Sequence, residues 1–440
     1  MRGRLAIASL LAVVTILLAL KGLALENPMM PGDEYAYLSA AQTFPDPTPR
    51  FAGDPYLPRI YSPLFAWYGR MLISLSEHPK QVLTLLNAIT FVVAIALFLA
   101  LIAKLTGRQP SGLVAAAFLL LPFSSYAAYF MPETVYLLFF GLLAWTVVVA
   151  VPRRPLGGAA IAGAIVGAML LVKPHAIALF MAAVLTLAAG LIAPSSIRSR
   201  VGSAIGSLVV FVGSAYLGLV GLNYMLTGTV ALHPFMFVGG LYGPNLAHGT
   251  SLSSWVGKPA LFTSILGVHL IVLGALVAPA FAVAAVRLRA LYLAPVAHAD
   301  QQSNRAYYAL TAFTVLVTLC AVGMTTNFEV QASQLSALPY VRMHGRYYSF
   351  VVPLCLTLFF ATRQDEESAE HFLTPPVALA ITLGAALLLV IIRARVIYPF
   401  DFPEAFVSPP GTAASVPDWS CSRSGRCRTP RLRWLRWRTC

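Results

Sequence analysis

The sequence predicts an all-α polytopic membrane protein, with about eleven transmembrane helices and short interfacial helices in its first outer loop. Three observations carry that expectation. Hydrophobic residues make up 58% of the 440 and the mean hydropathy is +0.77, whereas soluble domains hold an apolar share of roughly 45–50% even with glycine counted. Long apolar runs recur along the chain, each close to the ~20 residues a helix needs to cross a ~30 Å hydrocarbon core. Basic residues collect in alternate short connections, as in a chain threaded back and forth through a bilayer.

The first run, residues 5–25, follows Arg2 and Arg4, is long for a signal-peptide core and has no clean small-residue cleavage site behind it. It reads as a retained anchor. Hydrophobic periodicity and length place further spans at 82–103, 111–129, 134–151, 157–172, 176–193, 201–222, 261–285, 307–325, 347–362 and 373–392. Residues 1–397 thus form one transmembrane domain, and 398–440 a tail expected to be disordered. With the N-terminus in the cytoplasm, Lys104, Arg108, Arg153, Arg154, Arg198, Arg200, Arg287, Arg289, Arg305 and Arg363 all fall inside. Segments 26–80, 223–260 and 326–346 and the turns at 130–133 and 173–175 then fall outside.

That topology gathers the unusual polar residues on one face. Asp33, Glu34, Glu133, Lys173, His175, Glu329, Arg342, His344 and Arg346 all map to outer helix ends or outer loops. Two adjacent carboxylates, Asp33-Glu34, sit just past the first span, where charge beside lipid is costly and points to function. The loop that follows, 26–80, is too rich in proline for one helix, as in Phe44-Pro45-Asp46-Pro47-Thr48-Pro49. Helical spacing of apolar and aromatic residues nevertheless predicts short helices over 35–44 and 64–75, lying in the interface with Tyr61, Trp67 and Tyr68 at headgroup depth.

An N-terminal anchor, an outer Asp-Glu followed by Tyr35, a Tyr61-Ser62-Pro63-Leu64 segment and a second acidic turn, Met131-Pro132-Glu133-Thr134, resemble the polytopic GT-C glycosyltransferases. The likeness is to the protein-mannosyltransferase and aminoarabinose-transferase type. Val341-Arg342-Met343-His344-Gly345-Arg346-Tyr347-Tyr348, followed by Pro353, is similar to the Arg-Tyr helix start of such proteins. The resemblance spans about residues 5–360. It implies an enzyme that moves a sugar from a polyprenyl-phosphate carrier to a cell-envelope glycan, lipid or protein on the outer face, with inversion. Asp33 matches the family's base position, with Glu34 and Glu133 as further acidic candidates.

The residue chemistry suits that reaction. A carboxylate can take the acceptor's proton, and cations can stabilise the departing phosphate. Arg346 is the first candidate for the phosphate because its planar fork fits phosphate oxygens, with Arg342, His344 and Lys173 beside it. Plainer roles fit the same positions: Asp33 or Glu34 as an interfacial helix cap, Glu133 complementing a helix dipole, and the basic side chains snorkelling at helix ends. His175, His233, His248 and His344 show no metal-ligand spacing with one another or with cysteine, and a basic pocket facing an anionic lipid head needs no metal, so no cofactor is expected. A divalent ion held by Asp33, Glu133 and Glu329 is the exception that oxygen chemistry would allow.

The remaining features exclude more than they assign. Cys320 and Cys355 sit in apolar spans as small core residues, and Cys421, Cys427 and Cys440 match no zinc site. No Gly-rich phosphate loop or nucleotide-sugar Asp-x-Asp occurs, which favours a lipid-linked donor. The net charge of +14 does not argue for nucleic acid, because seven arginines between Arg423 and Arg438 supply much of it. That stretch reads either as out-of-frame translation of a GC-rich gene or as a basic tail that binds anionic lipid or wall polymer. The competing functions are a lipid-linked glycan flippase or transporter, which calls for midplane charges and repeats, and a wall-polymer polymerase or ligase. The latter would carry its functional loop late in the chain.

Overall fold

A computed structural model describes residues 2–24, 33–45, 62–76, 78–119, 126–127, 129–193, 201–230, 259–293, 301–335 and 350–363. The predicted span at 373–392, the tail from 398, and Arg342, His344 and Arg346 lie outside the described residues. Of Asp33, Glu34 and Glu329 only the backbone is described.

Every described element is helical: α1 (Arg2–Ala24), α2 (Asp33–Thr43), α3 (Pro63–Leu75), α4 (Pro79–Thr106), α5 (Gly112–Leu119), α6 (Glu133–Trp145), α7 (Val151–Arg153), α8 (Pro155–Val172), α9 (Ala176–Ile192), α10 (Val201–Thr227), α11 (Pro259–Leu293), α12 (Gln301–Leu335) and α13 (Val351–Arg363). Segments Gln81–Thr106, Glu133–Arg153, Pro155–Val172, Val201–Thr227 and Gln302–Asn327 are each long and apolar enough to cross a membrane. The chain is a multi-pass helical membrane protein. Helices α6 and α7 form one span because a π-helical turn, Thr146–Ala150, joins them. Pro152 lacks an N–H where that ladder widens.

Both helices expected in the first loop are present, as α2, which stops ahead of Pro45, and α3, which opens on Pro63. Several boundaries differ from the expected spans. Helices α10 and α11 run on to Thr227 and Leu293, and α12 continues to Leu335, so Glu329 stands on a helix and not in an outer loop. No proline or glycine follows Gly323 before Leu335, so nothing local stops propagation. Within the predicted span 111–129 the described elements are α5, Gly112–Leu119, and a 3₁₀ turn at Tyr126-Ala127.

Aromatic side chains fill the middle of the bundle. Phe140 meets Phe98, Phe313 and Phe350, with ring centroids 5.9, 6.3 and 5.1 Å away, which ties α6 to α4, α12 and the start of α13. Helices α8 and α10 run in the same direction and touch along small residues. A Cβ on Gly167 would stand 2.5 Å from the Ala215 carbonyl oxygen and 2.8 Å from the Leu219 nitrogen, and one on Gly163 would meet the Phe211 carbonyl. Such backbone approach is how helices associate where lipid is as apolar as side chains. Gly167→Val is therefore expected to destabilise the protein by about 1–3 kcal/mol, the usual range for overpacking, read as a lower unfolding temperature in detergent. Gly213→Val, where a Cβ meets nothing within 4 Å, is the matched control.

The connectivity sorts charge by end. Lys104, Arg153 and Arg154 lie at the ends of α4 and α7, and α12 brings Arg305 to the same end, because its Tyr308 hydroxyl donates to Ala189 O of α9 and its Tyr307 hydroxyl to Ala361 O of α13. Glu133, Lys173, Ser62 and Phe350 lie at the opposite end.

Candidate functional site

The site is built around the break between α8 and α9. Lys173 precedes Pro174, which clashes with a helical conformation in the residue before it, and Lys173 is accordingly extended at φ −156°, ψ 122°. Helix α9 restarts at Ala176. The Lys173 side chain turns into the bundle, and its Nζ donates to Glu133 Oε1 at 2.7 Å. Both partners are buried, the side chains only 9% and 2% exposed.

Glu133 opens α6 and Lys173 follows the last turn of α8, so each charge sits at the helix end whose dipole favours it. Three hydrogen bonds hold the surroundings. Ser62, just before α3, donates its hydroxyl to the Val172 carbonyl at 2.7 Å, satisfying a C-terminal acceptor of α8 in place of capping its own helix. Asn87 of α4 donates to Tyr129 O at 2.8 Å and accepts from the Thr134 hydroxyl at 3.1 Å, fixing the turn that leads into α6.

Above this, α2 and α3 lie side by side. Tyr37 packs edge-on against Phe65 at 5.3 Å, and Phe65 against Phe130 at 5.2 Å. A Cβ on Gly69 would meet Phe130 Cζ at 2.6 Å and Ala41 Cβ at 2.8 Å, so only glycine permits this approach. Asp33 and Glu34 occupy the first turn of α2, one turn ahead of Tyr37. The two acidic segments therefore meet the same aromatic junction, Asp33-Glu34 through Tyr37 and Glu133 through the Phe130–Pro132 turn. Burial pushes the Tyr68 hydroxyl of α3 up to about 12, so it stays protonated in neutral solution.

Two polar atoms on α6 stand out. Glu133 Oε2 and the Tyr136 hydroxyl are buried and have no hydrogen-bond partner among the described residues. They are three residues apart and so share a helix face. Tyr136 rests edge-on against Phe350, 5.3 Å between centroids, and Phe350 directly precedes α13.

Of the predicted site residues, the structure joins Glu133 to Lys173 and brings the helix of Asp33 and Glu34 to the same end. Sequence reasoning treated Glu133 and Lys173 separately and did not pair them. It also missed Ser62, Asn87 and Tyr136. Asn87 was findable, as a polar residue inside the apolar run 82–103. Among the described residues no group of three or more His, Cys, Asp or Glu is arranged to hold a metal ion.

Residues 60–217 match the family model described as dolichyl-phosphate-mannose-protein mannosyltransferase. That family is one of GT-C-type membrane glycosyltransferases, and the match covers just over a third of the chain. No curated protein is matched by the chain. The GT-C match takes in Ser62, Asn87, Glu133 and Lys173, while Asp33 precedes it and the Arg342–Arg346 segment follows it.

Proposed function

We propose that this chain transfers a sugar from a polyprenyl-phosphate carrier to a hydroxyl of a cell-envelope glycan, lipid or protein on the outer membrane face. The observation that carries this reading is the convergence of α2, bearing Asp33-Glu34, and the buried Glu133–Lys173 pair at the end of the bundle opposite the basic connections. The segregated arginines favour a cytoplasmic position for their own end. The family described for residues 60–217 acts with a dolichyl-phosphate-linked sugar, which supports a lipid-linked donor here.

In this reading Asp33 takes the proton of the acceptor hydroxyl as its oxygen attacks the anomeric carbon from the side opposite the carrier. The new C–O bond forms as the bond to the carrier phosphate oxygen breaks, inverting the configuration. Arg346, four residues before Phe350, with Arg342 and His344, neutralises the charge that develops on the phosphate. Lys173, with its ammonium on Glu133, holds that carboxylate at the same end of the bundle. Glu34 neighbours the base on the first turn of α2.

The test uses the purified protein in nanodiscs with radiolabelled polyprenyl-phosphate hexoses and pentoses and membrane acceptors. Label is expected to move from carrier to acceptor, and to keep moving in excess EDTA, because cationic side chains serve the phosphate. Loss of transfer in EDTA with recovery on adding Mg²⁺ would instead assign the carboxylates to a metal. Carrier movement across the bilayer without sugar transfer would support a flippase.

A further inference from the structure

We propose that Glu133 Oε2 and the Tyr136 hydroxyl together bind one hydroxyl group of a substrate, and that Lys173 is the positioning residue that aims Glu133 at it. The inference rests on the glycosyltransferase reading above and adds a binding pair to it. A buried polar atom without a partner is uncommon in a packed bundle, because it forfeits its hydrogen bonds to water without replacement. Here two such atoms stand one helical turn apart on α6, at the end of the bundle that carries Asp33. Those on Arg305, Thr311 and Thr326 lie at separate turns along α12.

The chemistry of the two atoms is complementary to an alcohol. An ionised carboxylate oxygen only accepts, and a phenol both donates and accepts. An incoming hydroxyl donates its proton to Oε2 and accepts the Tyr136 proton on its oxygen, which satisfies both orphaned groups at once. Phosphate and carboxylate ligands are disfavoured, since they would place anionic oxygens against Oε2.

Lys173 makes the arrangement directional. By holding Oε1 at 2.7 Å it fixes the rotation of the carboxylate and leaves Oε2 as the open acceptor. Phe350, 2% exposed, packs edge-on against the Tyr136 ring and holds it beside α13.

Two sources offer such a hydroxyl, the donor sugar and the acceptor. Tyr136→Phe separates the proposal from a purely structural role, because it removes only an oxygen that makes no hydrogen bond in the unliganded protein. Its unfolding temperature is expected to match or exceed that of the unaltered protein. With polyprenyl-phosphate mannose as donor and membrane glycan as acceptor, its KM for one of the two substrates is expected to rise about tenfold, the scale of one lost hydrogen bond. A rise for the donor assigns a sugar hydroxyl, and a rise for the acceptor assigns the nucleophile's side. Lys173→Arg is expected to retain more of the unaltered KM than Lys173→Met, since it keeps a donor for Oε1. Unchanged KM values for both substrates in Tyr136→Phe would overturn the proposal and leave the glycosyltransferase reading standing. Absence of transfer by the unaltered protein with every donor tried would overturn that reading and this proposal with it.

Discussion

Glu133→Leu is expected to be among the most damaging single changes in the bundle, costing about 3–5 kcal/mol, because it leaves the Lys173 ammonium buried without its carboxylate. Lys173→Met is expected to cost a similar amount for the mirror-image reason. The double variant Glu133→Leu/Lys173→Met is expected to regain most of the loss, since replacing both members of a buried pair by apolar groups is often close to neutral. Thermal unfolding in detergent reads this directly as three unfolding temperatures against the unaltered protein. Additive losses in the double variant would show that the two residues act through separate contacts and that the 2.7 Å pair has no energetic coupling. The double variant also separates fold from function: restored stability without restored transfer would show that the charges do more than hold α6 to the α8–α9 break.

Much of this fold was legible because a bilayer restricts the choices. Backbone groups in hydrocarbon must be satisfied within a helix, so apolar length alone located α4, α6 and α8 through α10 to within a few residues at most ends. The prolines around residues 45–63 and the aromatic spacing marked α2 and α3 for the same local reasons. Helix ends in polar sequence were less legible. The extension of α12 to Leu335 depends on nothing interrupting the ladder, a weaker signal than hydrophobicity.

The candidate site was legible by side but not by contact. Charge alternation separated Glu133 and Lys173 from the arginines at the other end, yet the two partners stand 40 positions apart and no local rule joins them. Pro174 explains why Lys173 leaves the helix, but the direction of its side chain is set by α6, which only tertiary packing supplies. The same holds for Tyr136, whose phenol reads in sequence as ordinary core and shows itself only as an unpartnered buried oxygen.

The larger expected effect on transfer is at Asp33, the proposed base. If it removes the acceptor's proton, Asp33→Asn keeps the size and polarity of the side chain while losing the basic oxygen, and transfer is expected to fall by about 10²–10⁴-fold, the usual contribution of a positioned base. Stability is expected to change little, because the substitution keeps the side chain's size and polarity on the first turn of α2. Glu34→Gln, one residue on, is expected to lose far less. If the pair only capped α2, both variants would lose roughly 0.5–2 kcal/mol of stability at most and retain transfer.

The central claim is most directly tested by the single-turnover rate of label transfer from radiolabelled polyprenyl-phosphate sugar to membrane acceptor, measured for Asp33→Asn and the unaltered protein at matched amounts in nanodiscs. The account predicts that the variant still binds donor and falls at least about a hundredfold in rate. Equal rates would contradict it, and would remove Asp33 from the chemistry.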